Sequence, residues 1–162
     1  MSAAHSGHAI AAAGEKDLPE LLALMRAYCD FYETRPADER LLRLSRALIG
    51  DPELEGVQLI AREPTGAAVG FATVFWSWDT TEGERIGVMN DLYIAPAARG
   101  TGLAERLIEA CLERCRARGA TRLDWQTAPE NARAQSVYDR IGAVREPWLA
   151  YSLAPGGRGG AS

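Results

Sequence analysis

The feature that most constrains this chain is a glycine turn, Arg99-Gly100-Thr101-Gly102, set between a run that reads as strand and the most clearly helical stretch of the sequence. At such a junction the first backbone N–H groups of the helix point outward from the positive end of its dipole, which makes an anion site. Glycine lets the backbone approach phosphate oxygens with no side chain in the way, and Arg99 adds a planar cationic fork. Two kinds of phosphate loop are excluded. A Walker loop needs Gly-Lys-Ser/Thr, and a dinucleotide fingerprint needs a third glycine where this chain has Glu105.

The stretch from 102 to 118 carries Leu103, Leu107, Ile108, Cys111, Leu112 and Cys115 at helical spacing, with charged residues on its other faces and Gly119 as its cap. Upstream, residues 8 to 13 read as an edge strand. A helix starting at Asp17 repeats Leu18, Leu21, Leu22 and Met25 and ends near Pro36, and a second one runs from 38 to 49. The period then changes to that of strands at 58 to 63, 68 to 78 and 85 to 94, divided by Pro64-Thr65-Gly66 and Glu82-Gly83-Glu84. Downstream come a strand at 121 to 127, a short helix at 132 to 141 ending at Gly142, and a last strand at 148 to 153. This order describes a mixed sheet with helices packed on it.

With 162 residues, 47% of them apolar and charged residues spread throughout, one domain over residues 1 to 154 is expected, followed by a flexible glycine-rich tail at 155 to 162. A formal charge of -4 gives no support for a nucleic-acid partner and suits a cationic small molecule better. The N-terminus lacks the basic start and long apolar run of a secretory signal, and no segment is apolar for long enough to span a bilayer, so no membrane partner and a cytoplasmic location are expected. Cys29, Cys111 and Cys115 are too few and too unevenly placed for a disulfide framework. They read as reduced thiols, Cys111 and Cys115 as core residues, and no metal site is assigned.

Two motifs together carry a family resemblance. Arg99-x-x-Gly102-x-Ala104, preceded by Asp91-Leu92-Tyr93-Ile94-Ala95-Pro96, resembles the acyl-CoA signature of the GCN5-related N-acetyltransferase family. Downstream, Asn131-x-x-Ala134-x-x-x-Tyr138-x-x-x-Gly142 is similar to that family's C-terminal motif, and the element order agrees from about residue 8 to 153. The resemblance implies an α/β (α+β) fold: a single mixed, mostly antiparallel seven-stranded sheet with helices on both faces. It also implies acetyl-CoA as co-substrate. The strand from 89 to 94 would splay from 122 to 127, with backbone groups of Leu92 and Ile94 pairing to the pantetheine arm beside Tyr93. The pyrophosphate would lie on the amides of Arg99, Gly100, Thr101, Gly102, Leu103 and Ala104, and Asn131 would hold the arm.

Acyl transfer from a thioester needs a neutral nucleophile, a donor for the carbonyl oxygen and a proton for the departing sulfur. Tyr138 lies two helical turns beyond Asn131, on the same side, and is the candidate acid; packing beside Val137 and Ile141 is its plain alternative. The Leu92 N–H is the oxyanion donor that the resemblance suggests. Asn90 and Asp91 occupy the place of an acidic pair in related enzymes. Asn90 cannot be a base, and Asp91 either accepts the amine proton or simply hydrogen-bonds within the sheet.

The acceptor pocket draws on Tyr28, Tyr32, Glu33, Trp76, Trp78 and Trp125, with an aromatic wall for an ammonium group and Glu33 and Asp79 favouring a cationic amine; a core role is the alternative for each tryptophan. The expected activity is N-acetylation of a small primary amine by direct transfer in a ternary complex, in a homodimer. The alternatives are a protein lysine or N-terminal acceptor, and a catalytically silent acyl-CoA sensor.

Overall fold

The computed structural model describes residues 7–156. Strand β1 (Ala9–Ala12) leads through a short 3-10 turn into helices α1 (Leu18–Phe31) and α2 (Asp38–Gly50). Strands β2 (Gly56–Arg62), β3 (Ala68–Asp79) and β4 (Glu84–Ile94) follow, then helix α3 (Leu103–Arg118), strand β5 (Leu123–Asp124) and helix α4 (Ala132–Arg140). The sheet order is β1-β2-β3-β4-β5. Neighbours are antiparallel from β1 to β4, whereas β5 runs parallel to β4.

Each face of the sheet carries a helix layer because the strands bury apolar residues on both sides. On one face Leu103, Leu107, Ile108, Cys111 and Cys115 of α3 pack on Leu59, Val74 and Met89. On the other, Leu18, Leu21, Leu24 and Met25 of α1 pack on Ile60 and Phe71. Cys111 is buried and its thiol is pushed up to about 12 by loss of solvation, a core position as expected. Among the described residues, no helix is long and apolar enough to cross a membrane.

Three expectations need correction. Five strands form among the described residues, not seven. The strand expected at 121 to 127 shrinks to Leu123–Asp124, since β5 pairs with β4 only at Gly87↔Leu123 and Val88↔Asp124. No strand forms at 148 to 153, where Trp148, Leu149, Tyr151 and Leu153 are all at least 77% exposed. A strand exists only through a neighbour's ladder, and β5 offers almost none; β-type residues cannot supply the missing partner. Of the expected tail, residues 157–162 lie outside the described residues.

The early end of the β4–β5 ladder positions the site. From Met89 to Ile94, β4 has no strand on its outer side among the described residues. A register shift between Thr73 and Val74 sharpens the opening: Thr73 pairs with Asp91 and Val74 with Met89, which leaves Asn90 as the extra, bulged residue.

Candidate active site

The opening beside β4 is a cavity of about 590 Å³. Its loop end is the glycine turn. Gly100 and Gly102 have φ of 77° and 76°, left-handed values that glycine adopts without a Cβ penalty, and Gly102 is the N-cap of α3. Arg99, Gly100, Gly102, Leu103 and Ala104 line the cavity, and so do Leu92, Tyr93 and Ile94 of β4. Thr101 does not line it; its Oγ1 donates to the Ala98 carbonyl at 2.7 Å and ties the turn to the 3-10 segment before it.

Arg99 has a second duty. Its Nε donates to the Ile94 carbonyl at 2.9 Å, and its guanidinium carbon lies 5.8 Å from the Tyr93 ring centre. The side chain therefore braces the end of β4 as well as presenting charge to the cavity.

Helix α4 forms the opposite wall. Asn131 caps it, its Oδ1 accepting from the Ala134 N–H at 3.1 Å, and both Asn131 and Tyr138 line the cavity. The two-turn spacing thus does place both on one side. Tyr138 packs edge-on against Trp125 with ring centres 5.3 Å apart. Burial, and to a lesser degree the nearby Tyr32, hold its phenol above the ordinary value, so it is protonated at neutral pH.

Helix α1 and its C-cap close the third side with Tyr28 and Tyr32, their ring centres 5.0 Å apart. Phe31 stands against Tyr32 at 5.1 Å and also lines the cavity. It was missed in the sequence, although it falls between the two tyrosines on the same exposed edge of α1. Arg133 and Arg140 were missed as well; Arg140 pairs with Glu105 at 2.6 Å, a contact between α4 and α3 that no local pattern announces.

Asp91 sits behind this wall rather than in it. Asn90 Nδ2 donates to its carboxylate at 3.0 Å, and the hydroxyls of Thr73 and Tyr28 stand close by and favour its ionised form, the Tyr28 hydroxyl itself donating to the Asn90 carbonyl at 3.4 Å. Thr73 is itself held by Gln58 Nε2 at 3.1 Å, and both are buried. Loss of solvation outweighs these donors, so the Asp91 carboxyl lies above the ordinary carboxylate range. The same burial, with the charge of Asp91 next in size, holds the Tyr28 hydroxyl well above its ordinary value. Tyr28 lines the cavity, and its hydroxyl donates to the Asn90 carbonyl at 3.4 Å with Asp91 nearby.

The remaining acceptor candidates stand elsewhere. Trp76 donates from Nε1 to the Pro52 carbonyl at 2.8 Å and packs against the core, the plain alternative for it. Trp78 is 62% exposed and carries Arg85 over its ring at 4.4 Å. Glu33 is exposed in the turn after α1, and Asp79 is engaged by Arg122. None of the four lines the cavity, so the acidic ring expected from Glu33 and Asp79 does not form there.

The chain belongs to the acetyltransferase (GNAT) family, whose model matches residues 20–143. Membership places it among N-acetyltransferases. It is similar to an uncharacterized N-acetyltransferase, YhfO, of Bacillus subtilis (strain 168): 35% identical over 88 residues, 54% of this chain and 58% of that protein, so the matched stretch spans less than two thirds of that relative. It is also similar to the thialysine N-epsilon-acetyltransferase of Caenorhabditis elegans, 25% identical over 139 residues, 83% of this chain and 84% of that one. Among solved structures, the aminoglycoside N-acetyltransferase AAC(6')-Iy in complex with CoA shares the fold with a TM-score of 0.79 at 20% identity, covering 96% of this chain and 99% of that one.

Proposed function

We propose that this protein transfers the acetyl group of acetyl-CoA to a primary amine of a small molecule, directly, within a ternary complex. One observation carries the reading: a single cavity joins the glycine-capped start of α3, the unpaired edge of β4, the Tyr138 phenol and the α1 tyrosines. In this reading the pyrophosphate lies on the amides from Arg99 to Ala104, and Asn131 and the outer backbone of β4 hold the arm. Acetyl-CoA fits this donor set, since glycines with positive φ leave the backbone open to phosphate and arginines stand at the same end.

The chemistry follows from the residues. The amine nitrogen attacks the acetyl carbonyl carbon, and the Leu92 N–H stabilises the oxygen as it gains charge. The C–S bond breaks and Tyr138 gives its proton to the departing thiolate. A phenol of pKa about 10 against a thiol of about 8.5 sets a gradient of ~2 kcal/mol, steeper here because Tyr138 is raised. The amine's proton passes to the Tyr28 hydroxyl as Tyr28 turns from the Asn90 carbonyl and gives its own to the adjacent Asp91, whose raised carboxyl suits it to accept. Asn90 positions that carboxylate through its amide.

Asp91→Asn is expected to lower kcat/KM by about a hundredfold and to remove the acidic limb of its pH profile. The sign follows from the base role: Asp91 must be ionised, so activity rises with pH through its elevated value and falls below it. An unchanged limb in a variant that melts normally would assign the residue to sheet hydrogen bonding instead.

The unit of function is a single domain over residues 1–154, cytoplasmic and homodimeric. The exposed run of Val144, Trp148, Leu149 and Tyr151 supports association, and a monomer mass by light scattering would remove the dimer. The deciding experiment for the activity is a panel of amines assayed by release of free CoA thiol. Turnover of a small amine supports the proposal; acetylation of peptides alone would shift it to a protein acceptor, and acetyl-CoA binding with no thiol release would make the protein a sensor.

A further inference from the structure

The acceptor end of the cavity is walled by rings rather than by charge. Tyr28, Phe31 and Tyr32 stand on one side and Trp125 and Tyr138 on the other. Phe31 is 62% and Tyr32 48% exposed, so two large rings stand open to solvent at the mouth. A cluster of this kind holds apolar and aromatic groups by burial and by edge-to-face contacts, whereas a second ammonium group would gain only a weak cation–π attraction from it and no ion pair.

Charge in the cavity runs the other way. Glu105 is the one carboxylate among the described residues that line it, and it is already paired with Arg140 at 2.6 Å. Arg99 and Arg133 line the cavity in addition, so the described lining offers no unpaired carboxylate to a second ammonium group. Asp91 is screened by Tyr28 and Asn90 and can accept one proton at the reacting nitrogen, not neutralise a distant ammonium. An amine with several ammonium groups would have its distal charges desolvated at the acceptor end with no carboxylate among the described lining residues to pair them, an arrangement that costs affinity.

We infer that the acceptor is a primary monoamine with an aromatic or branched apolar body, held by Tyr28, Phe31 and Tyr32, and not a polycation. This rests on the acyl-transfer reading for the orientation of the amine, but not for its binding. The body lies against Phe31 and Tyr32 while the amino group points past Tyr28 toward the thioester.

The test separates binding from turnover. Phenethylamine, spermidine and kanamycin are titrated into the CoA-loaded protein by calorimetry, and thiol release is assayed in parallel. Phenethylamine is expected to bind about tenfold tighter than spermidine, and Phe31→Ala to weaken it about fivefold with spermidine and CoA affinity unchanged. Phe31 is exposed, so its replacement leaves the core intact, and Tyr32→Ala provides an independent second variant. Spermidine or kanamycin binding as tightly as phenethylamine, or no amine binding at all, would overturn the inference. Preferred binding of phenethylamine without thiol release would uphold it and sink the transferase reading alone.

Discussion

Replacement of Gly102 by glutamate is expected to abolish acetyl-CoA binding, with a rise in Kd of at least about a hundredfold by calorimetry. Crowding is not the cause, for a Cβ at Gly102 would meet nothing within 4 Å. Two other effects act together. The residue has φ of 76°, where a non-glycine side chain costs roughly 1–2 kcal/mol, so the turn is pulled out of shape. A carboxylate at the N-cap of α3 also takes the place of the anion that the helix start would otherwise bind, and at ~4 Å from a phosphate it costs about 4 kcal/mol in a partly screened setting. Gly102→Asn separates the two, since asparagine tolerates the left-handed conformation and carries no charge. It should retain most of the affinity. Full affinity in Gly102→Glu would remove the phosphate from this turn.

The second large effect is on turnover. Tyr138→Phe should lower kcat by about 10²-fold or more while acetyl-CoA affinity stays within about twofold of the original protein. The phenyl ring keeps its edge contact with Trp125, so the wall of the cavity survives and only the proton is lost. Because burial raises the phenol, the acid is present throughout the neutral range, and activity should fall only on the alkaline side as Tyr138 ionises. In the variant that alkaline limb should disappear. If kcat is retained, another group protonates the sulfur, and the Tyr32 hydroxyl across the cavity is the next to replace.

What the sequence shows about this site depends on how local each feature is. The turn from Arg99 to Gly102, helix α3 and its cap at Gly119 all come from short-range rules of glycine conformation and apolar spacing, and each stands where expected. The same holds for Asn131 and Tyr138, whose relation is set by one helix. Trp76 and Trp78 went the other way: both lie on β3, but a place on a strand does not say whether a cavity lies beside it. Trp76 met the Pro52 carbonyl and Trp78 met Arg85. Glu33 and Asp79 were plausible by sign of charge, yet Asp79 found its partner in Arg122, far along the chain.

By itself the sequence determined that a phosphate-type turn opens the third long helix and that Tyr138 shares a side with Asn131, because backbone conformation and helical period are properties of a few consecutive residues. Only the tertiary structure decided three further things: that the β4–β5 ladder stops after two pairs and leaves the cavity open, that Asp91 is half-buried beside Tyr28 and Asn90 and does not line the cavity, and that rings, with Glu105 as the one carboxylate among the described lining residues, make up much of the cavity wall. Each of these depends on which distant segments come to lie together, and a side chain's solvation and partners are not defined until they do.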